Sequence, residues 1–230
     1  MITILNWLIW SVAIYLSSFI LWRRIRAEYT ESESISLILW TFLGGLLFGK
    51  VLGIIWLTLQ GDISTQALWN SEFDIVGVVI GGYITALWHH TNNDLWWGDL
   101  QDGLMEAVFW ATAIIITGTG LIFSMWDVIS WWIQLSLYWG GLLGVYFVRY
   151  TYRSYHWYRS GRVGLTFRLG LIFLVCINII WASISTVGWT LAIKLLWNLL
   201  VLIWALWQTY TLSGRSWRVD RIHVSQKFHR

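Results

Sequence analysis

Two lysines and two carboxylates lie inside or beside the apolar segments of this 230-residue chain. Lys50 falls within the apolar stretch 36–59, Glu72 and Asp74 mark the start of the next one, and Lys194 is near the start of the last. A lysine in the middle of a membrane helix costs about 2.5–3.5 kcal/mol, so such charges usually face a cavity or a partner. A lysine can hold a phosphate, and a carboxylate can act as a base.

We therefore expect Lys50 to face a polar cavity that opens to the outside and to pair with Asp74 or Glu72. These three residues are the candidate catalytic groups. Two other interpretations of Lys50 stay open, because the side chain could snorkel to the interface alone or bind a lipid phosphate.

The composition predicts an all-α, polytopic membrane helix bundle. Hydrophobic residues make up 57% of the chain and charged residues only 12%, whereas soluble domains carry about 25% charged residues. We expect a seven-helix transmembrane domain over residues 1–212, followed by a basic cytoplasmic tail at 213–230. The seven predicted spans are 2–22, 36–59, 74–90, 104–125, 129–148, 164–186 and 189–210.

The basic residues predict the orientation. Twelve of the 15 lysines and arginines lie at 23–26, 149–162 and 215–230, after the first, fifth and seventh spans. Cytoplasmic segments are enriched in lysine and arginine, so we expect the N-terminus outside and the C-terminus in the cytoplasm. The expected location is the plasma or inner membrane of a bacterium.

Glycines four residues apart predict faces on which helices pack closely, because small residues let two backbones approach in lipid. Lys50 follows one of these glycines, so on a regular helix its side chain points about 100° away from them. The predicted packing positions are Gly45, Gly49, Gly53, Gly77, Gly81, Gly140 and Gly144.

Other chemistry finds little support in the sequence. Cys176 is the single cysteine, and no cofactor motif or metal site is predicted. The arginine- and aromatic-rich loop 149–162 favours contact with anionic lipid headgroups over nucleic acid, because it joins two membrane spans. Glu106 and Arg168 lie near the cytoplasmic ends of their spans, where they could pair or snorkel separately.

Four segments carry a resemblance to bacterial prolipoprotein diacylglyceryl transferase: 21–53, 68–88, 95–114 and 133–167. That family has seven spans, with its N-terminus outside. It moves a diacylglyceryl group from phosphatidylglycerol to a cysteine of a lipoprotein precursor, with arginines steadying the phosphate. The resemblance places Lys50 at or beside a family arginine and Gln134 in a Gln-Leu-Tyr-Glu element. It implies membrane phospholipids and lipoprotein precursors as partners, and no cofactor.

The chain departs from this family at its signature residues. The family histidine would fall at Asp74 or Val76, and the arginine–asparagine signature would fall in 116–123, which lacks both residue types. We therefore expect a protein that holds a phospholipid headgroup with Lys50, Lys194 and Gln134 and lacks the standard transfer activity.

Three alternatives stay open. The chain could be an active, diverged transferase that uses Lys50, a small transporter or channel-like bundle, or a structural or partner-binding membrane protein.

Overall fold

The computed structural model describes residues 2–26, 29–61, 73–90, 97–123, 125, 128–151, 164–185 and 188–213. These residues form seven α-helices, in agreement with the predicted all-α class. The predicted tail at 214–230, the basic residues between 152 and 163, and Glu72 lie outside the described residues. The helices are α1 (Ile2–Ile25), α2 (Glu31–Leu59), α3 (Ile75–His90), α4 (Trp97–Ile122), α5 (Ile129–Thr151), α6 (Leu165–Ser185) and α7 (Trp189–Leu212).

Five of these helices are long and apolar enough to cross a membrane: α1, α2, α4, α6 and α7. α3 is apolar but has 16 residues, which span about 24 Å at 1.5 Å per residue. α5 has 23 residues and is long enough to cross, but its tryptophans, tyrosines and Gln134 lower its mean hydropathy. The structure thus supports a multi-pass membrane protein, while the count of seven crossings stays a prediction.

α2 begins with a capping box at Thr30 and Glu33, which the sequence pattern predicts. The Glu33 amide donates to the Thr30 hydroxyl over 3.4 Å, and the Thr30 amide donates to the Glu33 carboxylate over 3.1 Å. The box satisfies amides that the first helical turn leaves without partners. Because of it, α2 starts five residues before the predicted apolar span.

α2 packs most extensively against α3, and glycines form the contact, as predicted for Gly45, Gly49, Gly77 and Gly81. A Cβ atom on Gly81 would lie 2.5 Å from the Gly44 carbonyl oxygen, and one on Gly45 would lie 2.9 Å from the Val78 carbonyl oxygen. The two backbones therefore approach more closely than any larger side chain allows. Gly53 is also buried on this side of α2.

The corresponding prediction for α5 is wrong. Among the described residues, nothing lies within 4 Å of a Cβ placed on Gly140 or Gly144, whereas one on Gly141 would collide with Phe109. Gly141 is buried, whereas the two glycines of the predicted pattern, Gly140 and Gly144, are exposed. α5 thus turns Gly140 and Gly144 outward and packs against Phe109 of α4 through Gly141.

Charged residues of α4 are buried at the end of the bundle where α5 finishes and α6 begins. Asp102, on α4, accepts hydrogen bonds from the amides of Gly164 (3.1 Å) and Phe167 (2.8 Å), so it caps the start of α6. One turn further along α4, Glu106 forms an ion pair with Arg149 at 2.5 Å.

Of the two possibilities left open for Glu106 and Arg168, the structure does not show the pairing, since Glu106 pairs with Arg149. The Arg168 guanidinium donates to the Gly164 carbonyl oxygen and to the Gln101 side chain. Arg168 bonds to the Gly164 carbonyl oxygen because it lies one turn inside α6, next to the start of its own helix. We call this end of the bundle, with its internally paired charges, the Arg149 end.

The glycine contact predicts a specific loss of stability. Gly81→Ala should lower the free energy of unfolding by about 1–3 kcal/mol, because the new methyl group meets a backbone carbonyl that cannot move aside. Denaturant unfolding in detergent measures the change. Gly144→Ala is the matched control and should cause no loss, since its Cβ meets no described atom within 4 Å. Equal losses for the two variants would contradict the packing.

The ion pair predicts a coupling free energy between Glu106 and Arg149. A double-mutant cycle with Glu106→Gln and Arg149→Met should give about 0.5–3 kcal/mol of coupling, as for contacting residues generally. The same cycle with Arg168→Met in place of Arg149→Met should give a smaller value. A larger coupling to Arg168 would show that Glu106 has the other partner.

Candidate functional site

A cavity of about 1070 Å³ lies within the bundle and is lined by residues from all seven helices. Along α2 and its C-cap the lining residues extend from Thr41 to Gln60, and the 19 steps between them correspond to about 28 Å of helix. Most of the wall is apolar. The charged and amide side chains are concentrated near the end where α3, α5 and α7 begin, which we call the Asp74 end. The predicted orientation places this end outside.

Asp74 lines the cavity and also caps α3. Its carboxylate accepts a hydrogen bond from the Gly77 amide at 2.7 Å and one from the Trp56 indole N–H at 2.9 Å. Its own amide donates to the Gly49 carbonyl oxygen on α2 at 3.0 Å. The side chain thus provides an acceptor for the Gly77 amide, which has no partner within the first turn of α3. The backbone of Asp74 connects the start of α3 to Gly49 of α2.

Lys194 lines the same cavity, as predicted, and Lys50 is not among the described lining residues. The Lys194 ammonium lies 5.9 Å from the centre of the Trp56 ring, while the Lys50 ammonium lies 5.4 Å from the centre of the Phe73 ring. Asp74 and Lys194 therefore converge on one cavity, around Trp56. The expectation that Lys50 joins them stays a prediction.

Several lining residues of α2 share a helix face with Lys50. Leu46 lies four residues before it, and Gly53 and Leu57 lie three and seven residues after it, spacings that place residues on one side of a helix. The ring that the Lys50 ammonium faces, Phe73, also lines the cavity. The expected pairing with Glu72 falls outside the described residues.

α5 contributes two polar side chains one turn apart, Gln134 and Tyr138. Both line the cavity, so the predicted position of Gln134 is consistent with ligand contact. Tyr138 is almost completely buried, with 5% of its surface exposed. Within the described part of the chain, neither side chain has a hydrogen-bond partner, so both can turn toward a ligand.

Two asparagines link α6 to α7 beside the cavity. The Asn178 side chain donates to the Asn198 side chain at 3.2 Å, and the Asn198 side chain donates to the Lys194 carbonyl oxygen at 2.7 Å. The pair fixes the turn of α7 that carries Lys194, and Asn178 itself lines the cavity. Sequence reasoning missed these residues, although uncharged amides within apolar helices often bond across helices.

Aromatic rings form much of the wall near Asp74. Trp10 and Phe73 both line the cavity, with their ring centres 5.7 Å apart. Trp131 also lines it and donates its indole N–H to the Ile116 carbonyl oxygen at 2.9 Å. A cavity with a long apolar wall and a few polar groups at one end suits an amphipathic ligand.

Comparison of the chain with models of known protein families, with curated proteins and with solved structures finds no match. The function therefore has to be inferred from the cavity and from the membrane character of the chain.

The cavity predicts different exposure to water for two positions on α5. Gln134→Cys, in a chain whose exposed Cys176 is replaced by alanine, should react with a water-soluble maleimide in open membrane fragments. Leu143→Cys should not, because Leu143 is 69% exposed on the outer surface of the bundle, where lipid excludes water and thiolates do not form. Equal reactivity, measured by mass shift after labelling, would argue against a hydrated cavity.

Proposed function

We propose that this chain is an integral membrane protein that binds the headgroup of a phospholipid at the Asp74 end of its cavity. The observation that carries the proposal is the convergence of Lys194, Gln134, Tyr138 and Asn178 at the Asp74 end of a cavity whose wall is mostly apolar. An ammonium and uncharged hydrogen-bond donors are the groups that hold a phosphate. The apolar wall, which continues for about 28 Å along α2, is suited to acyl chains.

The membrane setting supports the same ligand class. Five helices are long and apolar enough to cross a bilayer, so phospholipids surround the protein on all sides. With the N-terminus outside, the Asp74 end lies at the outer leaflet of a bacterial plasma or inner membrane. The headgroup of an outer-leaflet lipid then lies at the depth of Lys194.

The resemblance to the diacylglyceryl transferases is part of the proposal, but the standard transfer reaction is not. The histidine and the arginine–asparagine signature of that family are absent from the matching segments. Asp74, which falls near the histidine position, acts as the cap of α3. Lys50, the candidate substitute for a family arginine, is not among the described residues of the cavity wall. We propose a diverged member that retains lipid binding.

Restored lipoprotein modification in bacteria depleted of the transferase would show instead that the chain is an active enzyme. In that case Lys194→Gln should abolish the modification, since Lys194 lines the cavity.

A transporter is a second candidate because of the length of the cavity. The distance of about 28 Å between Thr41 and Gln60 is close to the thickness of the hydrocarbon core, about 30 Å. A path of this length is what a translocated molecule needs. Solute flux into proteoliposomes that depends on the protein would favour this function over static lipid binding.

Lipid-dependent thermal stability tests the headgroup proposal. Added phosphatidylglycerol or phosphatidylethanolamine should raise the Tm of the purified protein in detergent, whereas diacylglycerol, which lacks the phosphate, should not. Lys194→Gln should weaken the apparent affinity about 10- to 150-fold, because a hydrogen bond to a charged group contributes about 1.5–3 kcal/mol.

Arg23→Gln is the matched control for removing one positive charge. Arg23 is exposed in the last turn of α1, at the opposite end of the bundle, so this variant should bind like the wild type. The proposal fails if Arg23→Gln weakens binding as much as Lys194→Gln, or if diacylglycerol stabilises the protein equally well.

A further inference from the structure

The Asp74 carboxylate is a negative charge within a cavity proposed to hold a phosphate. Its two hydrogen-bond donors, the Trp56 indole and the Gly77 amide, are both uncharged. They orient the carboxylate without cancelling its charge. Two carboxylate oxygens accept about four hydrogen bonds, so Asp74 retains acceptor capacity toward the cavity that it lines.

Aromatic rings surround this carboxylate. Trp10, Trp56 and Phe73 line the same part of the cavity, and the face of an aromatic ring attracts cations. The rings of Trp56 and Phe73 already lie within 6 Å of the ammonium groups of Lys194 and Lys50. A carboxylate beside several aromatic rings is a favourable environment for an ammonium group of a ligand.

We infer that the cavity prefers a zwitterionic phospholipid, whose headgroup carries an ammonium group next to its phosphate. The inference rests on the proposed function and specifies its ligand. The phosphate lies at Lys194 and Gln134, and the ammonium group lies at Asp74 and the rings of Trp10 and Phe73. Trp56 stands between the two sites, since its ring contacts Lys194 and its N–H contacts Asp74.

Phosphatidylglycerol, the lipid that the family resemblance implies, fits this charge pattern less well. Its phosphate would satisfy Lys194, but its glycerol hydroxyls bring no positive charge to Asp74. A carboxylate in a low-dielectric cavity is stabilised much more by an ammonium group than by a hydroxyl. The ethanolamine headgroup also offers N–H donors to the carboxylate, whereas the choline headgroup relies on the aromatic rings.

The apparent affinity for three lipids tests the inference. Tm titrations of the purified full chain with phosphatidylethanolamine, phosphatidylcholine and phosphatidylglycerol should show about tenfold tighter binding of at least one zwitterionic lipid than of phosphatidylglycerol, as expected for one extra charge contact. Asp74→Asn should bring this ratio close to one while phosphatidylglycerol still binds. Asparagine is as good a helix cap as aspartate, so the variant keeps the fold of α3.

Glu31→Gln is the control for removing one negative charge. Glu31 is exposed in the first turn of α2, at the opposite end of the bundle, so this variant should keep the wild-type ratio. Wild-type protein that binds phosphatidylglycerol as tightly as the zwitterionic lipids would overturn the inference, as would an Asp74→Asn variant with an unchanged ratio. If none of the three lipids stabilises the wild type, the proposed function itself is wrong.

Discussion

The close approach of α2 and α3 places Asp74 at the cavity and, through it, Trp56 beside Lys194. Glycines on both helices allow a backbone separation at which the Gly49 carbonyl oxygen accepts the amide of Asp74. That bond places the Asp74 carboxylate beside Trp56, and the Trp56 ring in turn lies next to Lys194 from α7. A single larger side chain at Gly81 would separate the helices and disperse this group of contacts.

The two ends of the bundle treat buried charge in different ways. At the Arg149 end, Asp102 and Glu106 are satisfied by the start of α6 and by Arg149. A polar group buried without partners is costly in a low-dielectric interior, and these two carboxylates have partners within the bundle. At the Asp74 end, Asp74, Lys194 and Gln134 line a large cavity instead. This placement of the cavity is our reason for assigning ligand binding to the Asp74 end.

The sequence predicted the helices and their glycine contacts well where local pattern decides the outcome. The capping box at Thr30 and the contact faces at Gly49 and Gly81 follow from spacing alone, because helix geometry fixes which residues share a face. The same spacing failed at Gly140 and Gly144. A helix can turn either of two neighbouring small residues toward the bundle, and the bulky Phe109 of α4 selects Gly141.

The candidate site was predicted only in part, because it depends on which helix lies over which face. The sequence shows that Asp74 and Lys194 lie at the same end of the bundle, but only the packing shows that Trp56 lies between them. Lys194 was correctly placed with Asp74 because both lie at the start of a helix at the same end. Trp56, Tyr138 and Asn178 carry no net charge, so nothing in their local sequence separated them from the many other aromatic and polar residues of the chain.

An experimental structure of the full chain in phospholipid nanodiscs tests the central claim most directly. The account predicts an ordered lipid whose phosphate lies within hydrogen-bonding distance of Lys194 and Gln134, with its acyl chain along the wall between Thr41 and Gln60. Ordered lipid found only on the outer surface of the bundle, with side chains filling the cavity, would contradict it.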